Sequence, residues 1–550
     1  MTRQAGESMP WRIVAVLCIG SFAVLMDSTI VNVAVPSLID TLHAGLDQVL
    51  WINNAYLLVF GSLLITMSRL GDIFGQRRMF IFGLAVFAVF SALCGLAQNP
   101  AELIAARAFQ GLGAAMLTPQ PLVIISATFP PARRGAALGM YNSMIGLAAV
   151  LGPTLGGILV TYADWRWIFY VNLPITIVGI ALSYRLVPNL RTGRKHRLDI
   201  VGVVLATLGL VGLIFGLIEG QRYDWGAIAA GPITIPEVMI AGAVLLTMFG
   251  FWERGRRDQE PLLPGMLFRD KAVALLSAFN GIVQFGLISI MILGAINIQS
   301  VLGYSAVVSG LTALPLSLMI AVFAPFVGRL SDRIGSKKIL VGGFALYAIG
   351  MIVLIPVLSV HATPFTFILP YTLIGLGMSG LFAPLTTEAI RRVRPELIGS
   401  LTGMLATARQ LGSAIGSAVV GGVLATFLAV NMQSKATTAA SQLPEPARAA
   451  FLNGFANLSQ SGLSVGRGQS GGATVPASVP ASLRPQVQDL MHNIFTGSYI
   501  DAMRMSLVIP VALLLVCAIT CALFLKPRAA ATPAAAQQDP ATAESTTRKT

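Results

Sequence analysis

The chain has 550 residues, of which 11% are charged and 55% are hydrophobic, and its formal net charge is +14. Its mean hydropathy is +0.77. Soluble domains carry about 25% charged residues and could not bury this much apolar surface, while disordered chains have the opposite composition. The composition therefore excludes a soluble or disordered protein and predicts one that crosses a membrane many times.

Fourteen apolar segments are each long enough to cross a bilayer as a helix, which takes about 20 residues. They predict an all-α membrane protein whose spans lie at 12–38, 49–69, 79–97, 102–128, 135–161, 166–187, 199–219, 233–252, 272–297, 305–328, 338–359, 365–388, 400–428 and 504–526. We expect the first segment to be a retained span, because no small-residue cleavage site follows it. The four cysteines lie in apolar stretches and indicate no disulfide framework.

The basic residues predict the orientation. With a cytoplasmic N-terminus, 28 of the 37 Lys and Arg residues fall on the cytoplasmic side and seven fall outside, while Arg107 and Arg409 lie within spans. This asymmetry follows the positive-inside rule and predicts that both termini are cytoplasmic. We expect the protein to lie in the cell (inner) membrane. Because the charges are spread over many loops, the net charge does not indicate nucleic-acid binding.

An internal repeat divides the chain. Residues 69–78 (RLGDIFGQRR) and 329–338 (RLSDRIGSKK) share Arg, Leu, Asp, Gly and a basic pair at an offset of 260 residues. Parallel repeats build transporters with a central site between the halves, whereas a chance likeness of two short basic loops is the alternative. The predicted parts are a six-helix half at 1–190, a linker with two extra helices at 191–270, a second six-helix half at 271–528 with an external loop at 430–500, and a disordered cytoplasmic tail at 529–550.

Several motifs resemble those of the fourteen-helix drug:proton antiporter branch of the major facilitator superfamily. The first repeat loop is similar to its signature between helices two and three, with Ser68 in place of the usual Gly. The other similar stretches are Leu25–Pro36, Arg107–Gly113, Gly139 with Gly152–Gly157, Trp165–Pro174, Glu219–Trp225 and Arg409–Gly412. In the fifth helix Ala148 replaces an expected Gly. The resemblance implies the major facilitator fold and multidrug efflux in exchange for protons, with no enzymatic activity.

Asp27 and Arg107 are ionisable residues inside spans, where a charge costs about 2.5–3.5 kcal/mol. Counted at 1.5 Å per residue, Asp27 lies about 22 Å from one end of its helix and Arg107 about 10 Å from the opposite end of its own. They reach similar depths and can pair if their helices adjoin. A buried carboxylate can bind a proton in one conformation and release it in another. We therefore predict proton coupling or substrate contact for Asp27 and Arg107, with Asn32 and Gln110 from the same motifs; a structural ion pair is the alternative.

Small residues spaced four apart let helices approach closely, and a proline bends a helix. This pattern predicts that the fifth helix gates the path between the halves, with ordinary packing as the alternative. The residues concerned are Gly139, Gly152, Pro153, Gly156 and Gly157.

The repeat loops predict a cytoplasmic gate held by charge pairs, although their basic residues also set the topology. The candidates are Arg69, Asp72, Gly75, Arg77, Arg78 and Asp332. Three further candidates are Glu219, Glu388 and Arg409. We expect the Arg409 side chain to reach toward Glu388 or the cytoplasm.

The sequence thus predicts an exporter of small amphipathic molecules that works by alternating access and is driven by the proton gradient. No cofactor or metal is expected, because the four His residues lie in separate loops and no Walker-type phosphate loop is present. The expected partners are the substrate, protons, the lipid bilayer and, in a two-membrane bacterium, a periplasmic adaptor. The alternatives are export of one endogenous metabolite, peptide or lipid, and a membrane sensor or scaffold that transports nothing.

Overall fold

The computed structural model describes residues 2–189, 198–220, 222–228, 231–255, 261–441, 448, 451 and 484–525. Over these ranges the regular structure is helical, apart from one isolated bridge between Ala227 and Thr234. Fourteen of the described helices are long and apolar enough to cross a membrane. The predicted all-α architecture with fourteen spans is confirmed.

We number the spanning helices in chain order. They are α1 (Thr2–Leu42), α2 (Leu46–Phe74), α3 (Gln76–Leu96), α4 (Pro100–Leu117, continued by Gln120–Thr128), α5 (Arg134–Tyr162), α6 (Asn172–Leu186), α7 (Ile200–Glu219), α8 (Ile235–Gly255), α9 (Lys271–Ile296), α10 (Leu314–Ile334), α11 (Ser336–Val357), α12 (Ile368–Ser379, continued by Phe382–Arg391), α13 (Ile398–Ala440) and α14 (Arg484–Phe524). Short helices at Trp167–Tyr170 and Ala306–Thr312 precede α6 and α10.

The last two spanning helices are longer than their apolar runs. Residues 430–440 continue α13 and residues 484–500 begin α14, although both were predicted to be loop. Residues 430–440 contain no Gly or Pro that would end a helix. Lys435 of the first extension forms an ion pair of 2.6 Å with Asp501, the residue directly after the second extension. The Gly/Ser-rich part of the predicted external loop and the tail at 529–550 lie outside the described residues.

The two repeat loops have the same backbone geometry. Gly75 ends α2 with φ 95° and ψ 132°, and Gly335 ends α10 with φ 91° and ψ 145°. Glycine adopts positive φ readily, so one residue is enough to separate each pair of helices. This equivalence, at an offset of 260 residues, is what an internal duplication predicts.

Two sets of contacts join the halves. Helix α5 of the first half packs against α10 of the second, and α2 packs against α13. Helix α5 also packs along α1, so it lies between the two halves. The inserted helices α7 and α8 pack on each other, and α7 contacts α2 and α13. The largest cluster of buried apolar side chains extends through both halves.

Candidate functional site

Asp27 of α1 and Arg107 of α4 form a buried ion pair. Arg107 Nη1 lies 2.5 Å from Asp27 Oδ2, and both side chains are 0% exposed. Arg107 Nε donates to the carbonyl oxygen of Ile52 at 3.2 Å, and the Tyr56 ring centroid lies 4.2 Å from the guanidinium carbon. A lone charge at this depth would be costly. The carboxylate and the aromatic ring together explain how α4 accommodates an arginine.

The second carboxylate oxygen of Asp27 lies in an amide network. Oδ1 accepts hydrogen bonds from Gln110 Nε2 at 3.0 Å and from Asn172 Nδ2 at 2.9 Å. The same two nitrogens also donate to Ser91 Oγ, at 3.2 and 3.1 Å, and Arg107 Nη1 donates to Gln110 Oε1 at 2.8 Å. The network therefore connects α1, α3, α4 and α6. All of its bonds to Asp27 are donated to the carboxylate, so a proton on Asp27 would face donors and no acceptor.

The structure brings together only part of the predicted set. Gln110 belongs to the network, whereas Asn32 is exposed and makes no hydrogen bond within the described residues. Sequence reasoning missed Asn172 and Ser91. A polar amide in an otherwise apolar span was a usable signal for Asn172, but nothing in the sequence distinguishes Ser91 from other buried serines.

One face of α5 contacts α1 beside Asp27. A Cβ added at Gly152 would overlap the Thr29 hydroxyl, and one added at Gly156 would lie 2.8 Å from Ile30 Cγ1. Thr29 and Ile30 are within one helical turn of Asp27, so glycine allows α5 to approach the part of α1 that carries the acid. Helix α5 is thus in position to respond to movement of Asp27.

The other face of α5 contacts the second half. A Cβ at Gly139 would overlap the carbonyl of Ala324 in α10, whereas one at Gly157 would have only Val307 Cγ2 nearby, at 4.0 Å. Pro153 lies inside the helix, where a proline removes a backbone hydrogen bond. Of the predicted gating residues, Gly139, Gly152 and Gly156 therefore make close contacts, and Gly157 does not.

The end of the bundle that carries both repeat loops, called the basic end, is closed by two related contacts. The Asp72 carboxylate lies against Gly399 at the start of α13, where a Cβ would overlap it, and Ser68 Oγ donates to the Gly399 carbonyl at 2.5 Å. Asp332 accepts hydrogen bonds from the backbone N–H groups of residues 135 and 136, at 3.3 and 3.2 Å. A carboxylate is favourable at a helix N-terminus. Asp332 thus binds the first turn of α5 through hydrogen bonds, whereas Asp72 is in close contact with the first turn of α13 and accepts a hydrogen bond from Gln76 at 3.2 Å.

The basic residues of the repeat loops have separate positions. Arg77 donates to the backbone carbonyl of Tyr184 and stacks on its ring, Arg78 is exposed, and Arg69 is buried. The contacts that close the basic end are therefore those of carboxylates with helix N-termini, and the structure does not bring Arg77 to Asp72. Arg391 of α12 adds an ion pair of 3.1 Å to Asp332.

Two acidic candidates have local roles. Glu219 is buried at the end of α7, where it accepts a hydrogen bond from Asn54 of α2 at 3.2 Å and pairs with Arg222 at 3.0 Å. It therefore attaches the inserted helices to the first half. Glu388 pairs with Arg392, one turn further along α12, at 2.8 Å.

Of the two directions expected for Arg409, toward Glu388 or the cytoplasm, the structure shows no pairing with Glu388, whose partner is Arg392. The guanidinium carbon of Arg409 lies 5.5 Å from the ring centroid of Phe382. Arg392 is four residues from Glu388 on one helical face and takes its place as the partner. Among the described residues, no group of three or more His, Cys, Asp and Glu side chains is arranged to hold a metal ion.

Comparison with known proteins identifies the family. The family model described as Major Facilitator Superfamily matches residues 17–417. The chain is 34% identical over 416 residues to the multidrug resistance protein Stp of Mycobacterium tuberculosis (strain CDC 1551 / Oshkosh), with 76% of each chain covered. It is 35% identical over 439 residues to the puromycin resistance protein pur8 of Streptomyces alboniger, covering 78% of this chain and 85% of that one.

A solved structure agrees on the fold. The proton:xylose symporter XylE, itself a major facilitator superfamily protein, matches with a TM-score of 0.54 at 15% identity, over 75% of this chain and 88% of the XylE chain. The chain belongs to the major facilitator superfamily and is a multi-pass membrane transporter rather than an enzyme.

Proposed function

We propose that this transporter exports small amphipathic molecules in exchange for protons, by alternating access between its two six-helix halves. The proposal rests on the buried Asp27–Arg107 pair. Asp27 lies on α1, at the place where α5 packs against this helix. A membrane-buried acid with a cation partner is the chemistry that proton coupling requires. Similarity to proteins named for multidrug and puromycin resistance supports the substrate class. The proton gradient supplies the driving force, and no cofactor is needed.

Protonation would act through contacts that α1 already makes. A proton on Asp27 removes the negative charge that faces Arg107 and weakens the attachment of α1 to α4. Thr29 and Ile30 lie against α5, so a shift of α1 changes the fit between these two helices. Because α5 also packs on α10, the change reaches the second half. Substrate and proton then use the same conformational change in opposite directions.

The orientation follows from the positive charge at the basic end, which we assign to the cytoplasm of a cell (inner) membrane. At this end residues 382–390 of α12 and 398–407 of α13 are all buried. The conformation is therefore closed toward the cytoplasm. Asp72 and Asp332 hold it closed, and the cytoplasmic path opens when α13 and α5 leave these carboxylates.

The orientation is tested by labelling single cysteines at opposite ends of the bundle. Gln98 and Glu396 are both exposed, and the four native cysteines are first replaced. A membrane-impermeant maleimide added to intact cells should label Gln98→Cys, whereas Glu396→Cys should be labelled only after the cells are opened. The reverse pattern would contradict a cytoplasmic basic end.

Proton-coupled export is tested on the purified chain in proteoliposomes. A panel of toxic compounds, applied to overexpressing and deletion strains, first identifies the exported ones. Each exported compound should then accelerate proton movement across the proteoliposome membrane, and a protonophore should stop its uphill transport. Uphill transport that persists without a proton gradient would contradict the proposal. Resistance limited to one compound would instead favour a dedicated exporter of a single metabolite, peptide or lipid.

A further inference from the structure

Arg107 and Arg409, the two arginines that fall within the predicted spans, differ in their partners. Arg107 is paired with Asp27. Arg409 of α13 makes no hydrogen bond or ion pair with any described residue, and its guanidinium carbon lies 5.5 Å from the ring centroid of Phe382. Its side chain is partly exposed, and its nitrogens are not among the described polar atoms buried without a partner. Arg409 thus presents donors to an accessible space.

Arg409 lies at about half the depth of the membrane. Arg409 is eleven residues from the start of α13 at Ile398, or about 17 Å along a helix that crosses about 30 Å of hydrocarbon. Residues 398–407 of α13 are all buried, and residues 408–411 are the first that are partly exposed. Arg409 therefore lies where the closed part of the bundle ends.

The surroundings of Arg409 come from both halves. Phe382 of α12 belongs to the second half, and Tyr141 of α5, from the first half, lies near enough to Arg409 to interact with it electrostatically. Ser21 of α1 donates to the Tyr141 hydroxyl at 3.1 Å and fixes its position. No described carboxylate forms an ion pair with Arg409. Transporters built from parallel repeats bind substrate at this kind of position between the halves.

We propose that Arg409 binds the negatively charged group, a carboxylate or phenolate, of an aromatic substrate. A cation at this depth of the membrane without a counter-charge favours an anion beside it. The guanidinium can donate two parallel hydrogen bonds to a carboxylate, and the rings of Phe382 and Tyr141 provide apolar contact for an aromatic body. The inference rests on the proposed export function and adds the charge class of its substrates.

The test compares two probes of nearly the same shape, the anion 1-hydroxy-2-naphthoate and its neutral amide. Binding to the purified full-length chain is measured by probe fluorescence. The parent should bind the naphthoate about tenfold or more tightly than the amide, the effect of one charge-assisted contact. Arg409→Gln should lose this preference while its affinity for the amide stays unchanged, which shows that the variant is folded. Arg409→Lys keeps the positive charge but loses the planar guanidinium that can donate two parallel hydrogen bonds, so it should retain part of the preference.

Lys435→Gln is the matched control, because it removes one positive charge from the same helix at a half-exposed ion pair. It should leave the preference intact. Equal binding of both probes by the parent, or a preference that survives Arg409→Gln, would overturn the proposal. Competition by chloride without any preference for the naphthoate would show that Arg409 holds only an inorganic anion, and would also overturn it. If the parent transports the amide but not the naphthoate in exchange for protons, this inference is wrong and the proposed export function is unaffected. If the parent transports no compound in exchange for protons, the proposed export function itself is wrong.

Discussion

Replacement of Asp27 by Asn is expected to abolish export against a gradient while leaving downhill exchange of substrate partly active. Asn keeps the shape of the side chain and an oxygen that can accept from Gln110 and Asn172, but it cannot take up or release a proton. Without titration at this position, substrate movement is no longer linked to the proton gradient. The measurement is substrate-induced proton release by the purified protein, together with uphill and exchange transport in proteoliposomes.

Two variants separate coupling from a structural ion pair. Asp27→Asn leaves Arg107 buried without its counter-charge, which destabilises a protein by about 3–5 kcal/mol. The double variant Asp27→Asn with Arg107→Gln removes both charges and should recover much of that stability without recovering uphill export. If uphill export returns together with the amount of folded protein, the pair is structural and another acid carries the proton. Asn32→Ala, on an exposed position of the same helix, should transport like the parent.

The spans could be predicted because hydrocarbon thickness sets the length of an apolar run. The same criterion missed the ends of α13 and α14, where polar residues continue the helices beyond the apolar segment. A helix needs backbone propensity and packing, which hydropathy does not measure. The extensions at residues 430–440 and 484–500 are therefore visible only in the structure.

The Asp27–Arg107 pair was predictable by counting residues from the ends of two helices. Such counting gives depth but not the rotation of a helix about its axis. It therefore could not assign Asn172 to the network or exclude Asn32, which lies five residues from Asp27 and so points in another direction. Which polar residues meet is decided by tertiary packing around Asp27.

At the basic end the sequence showed the charges but not their partners. Asp72 and Asp332 meet the first turns of helices in the opposite half, and backbone N–H groups leave no residue-type signal in a sequence. The markers are the glycines at positions 399 and 135, where the approach of Asp72 and Asp332 leaves no space for a side chain. Charge pairing within the loops was therefore the natural expectation from composition alone.

Replacement of Gly156 by Leu is expected to stop export while the protein still reaches the membrane in near-normal amounts. The added side chain begins 2.8 Å from Ile30 Cγ1, so α5 must move away from α1 in the conformation that is closed at the basic end. Conformations in which this contact is looser tolerate the substitution and become favoured. Transport rate in proteoliposomes, normalised to the amount of folded protein, measures the effect.

The adjacent glycine provides the control for this substitution. Gly157→Leu adds the same groups to the same helix, but its first carbon would meet only Val307 Cγ2, at 4.0 Å. It should therefore keep most of the parent's export. A single cysteine at Ser400, a buried position at the start of α13, reports the conformational shift, since its labelling at the basic end should rise in Gly156→Leu and stay at the parent's level in Gly157→Leu. If Gly156→Leu lowers folded protein and export in equal proportion, with no change in labelling, then the contact between α5 and α1 serves packing alone and the gating role of this segment is wrong.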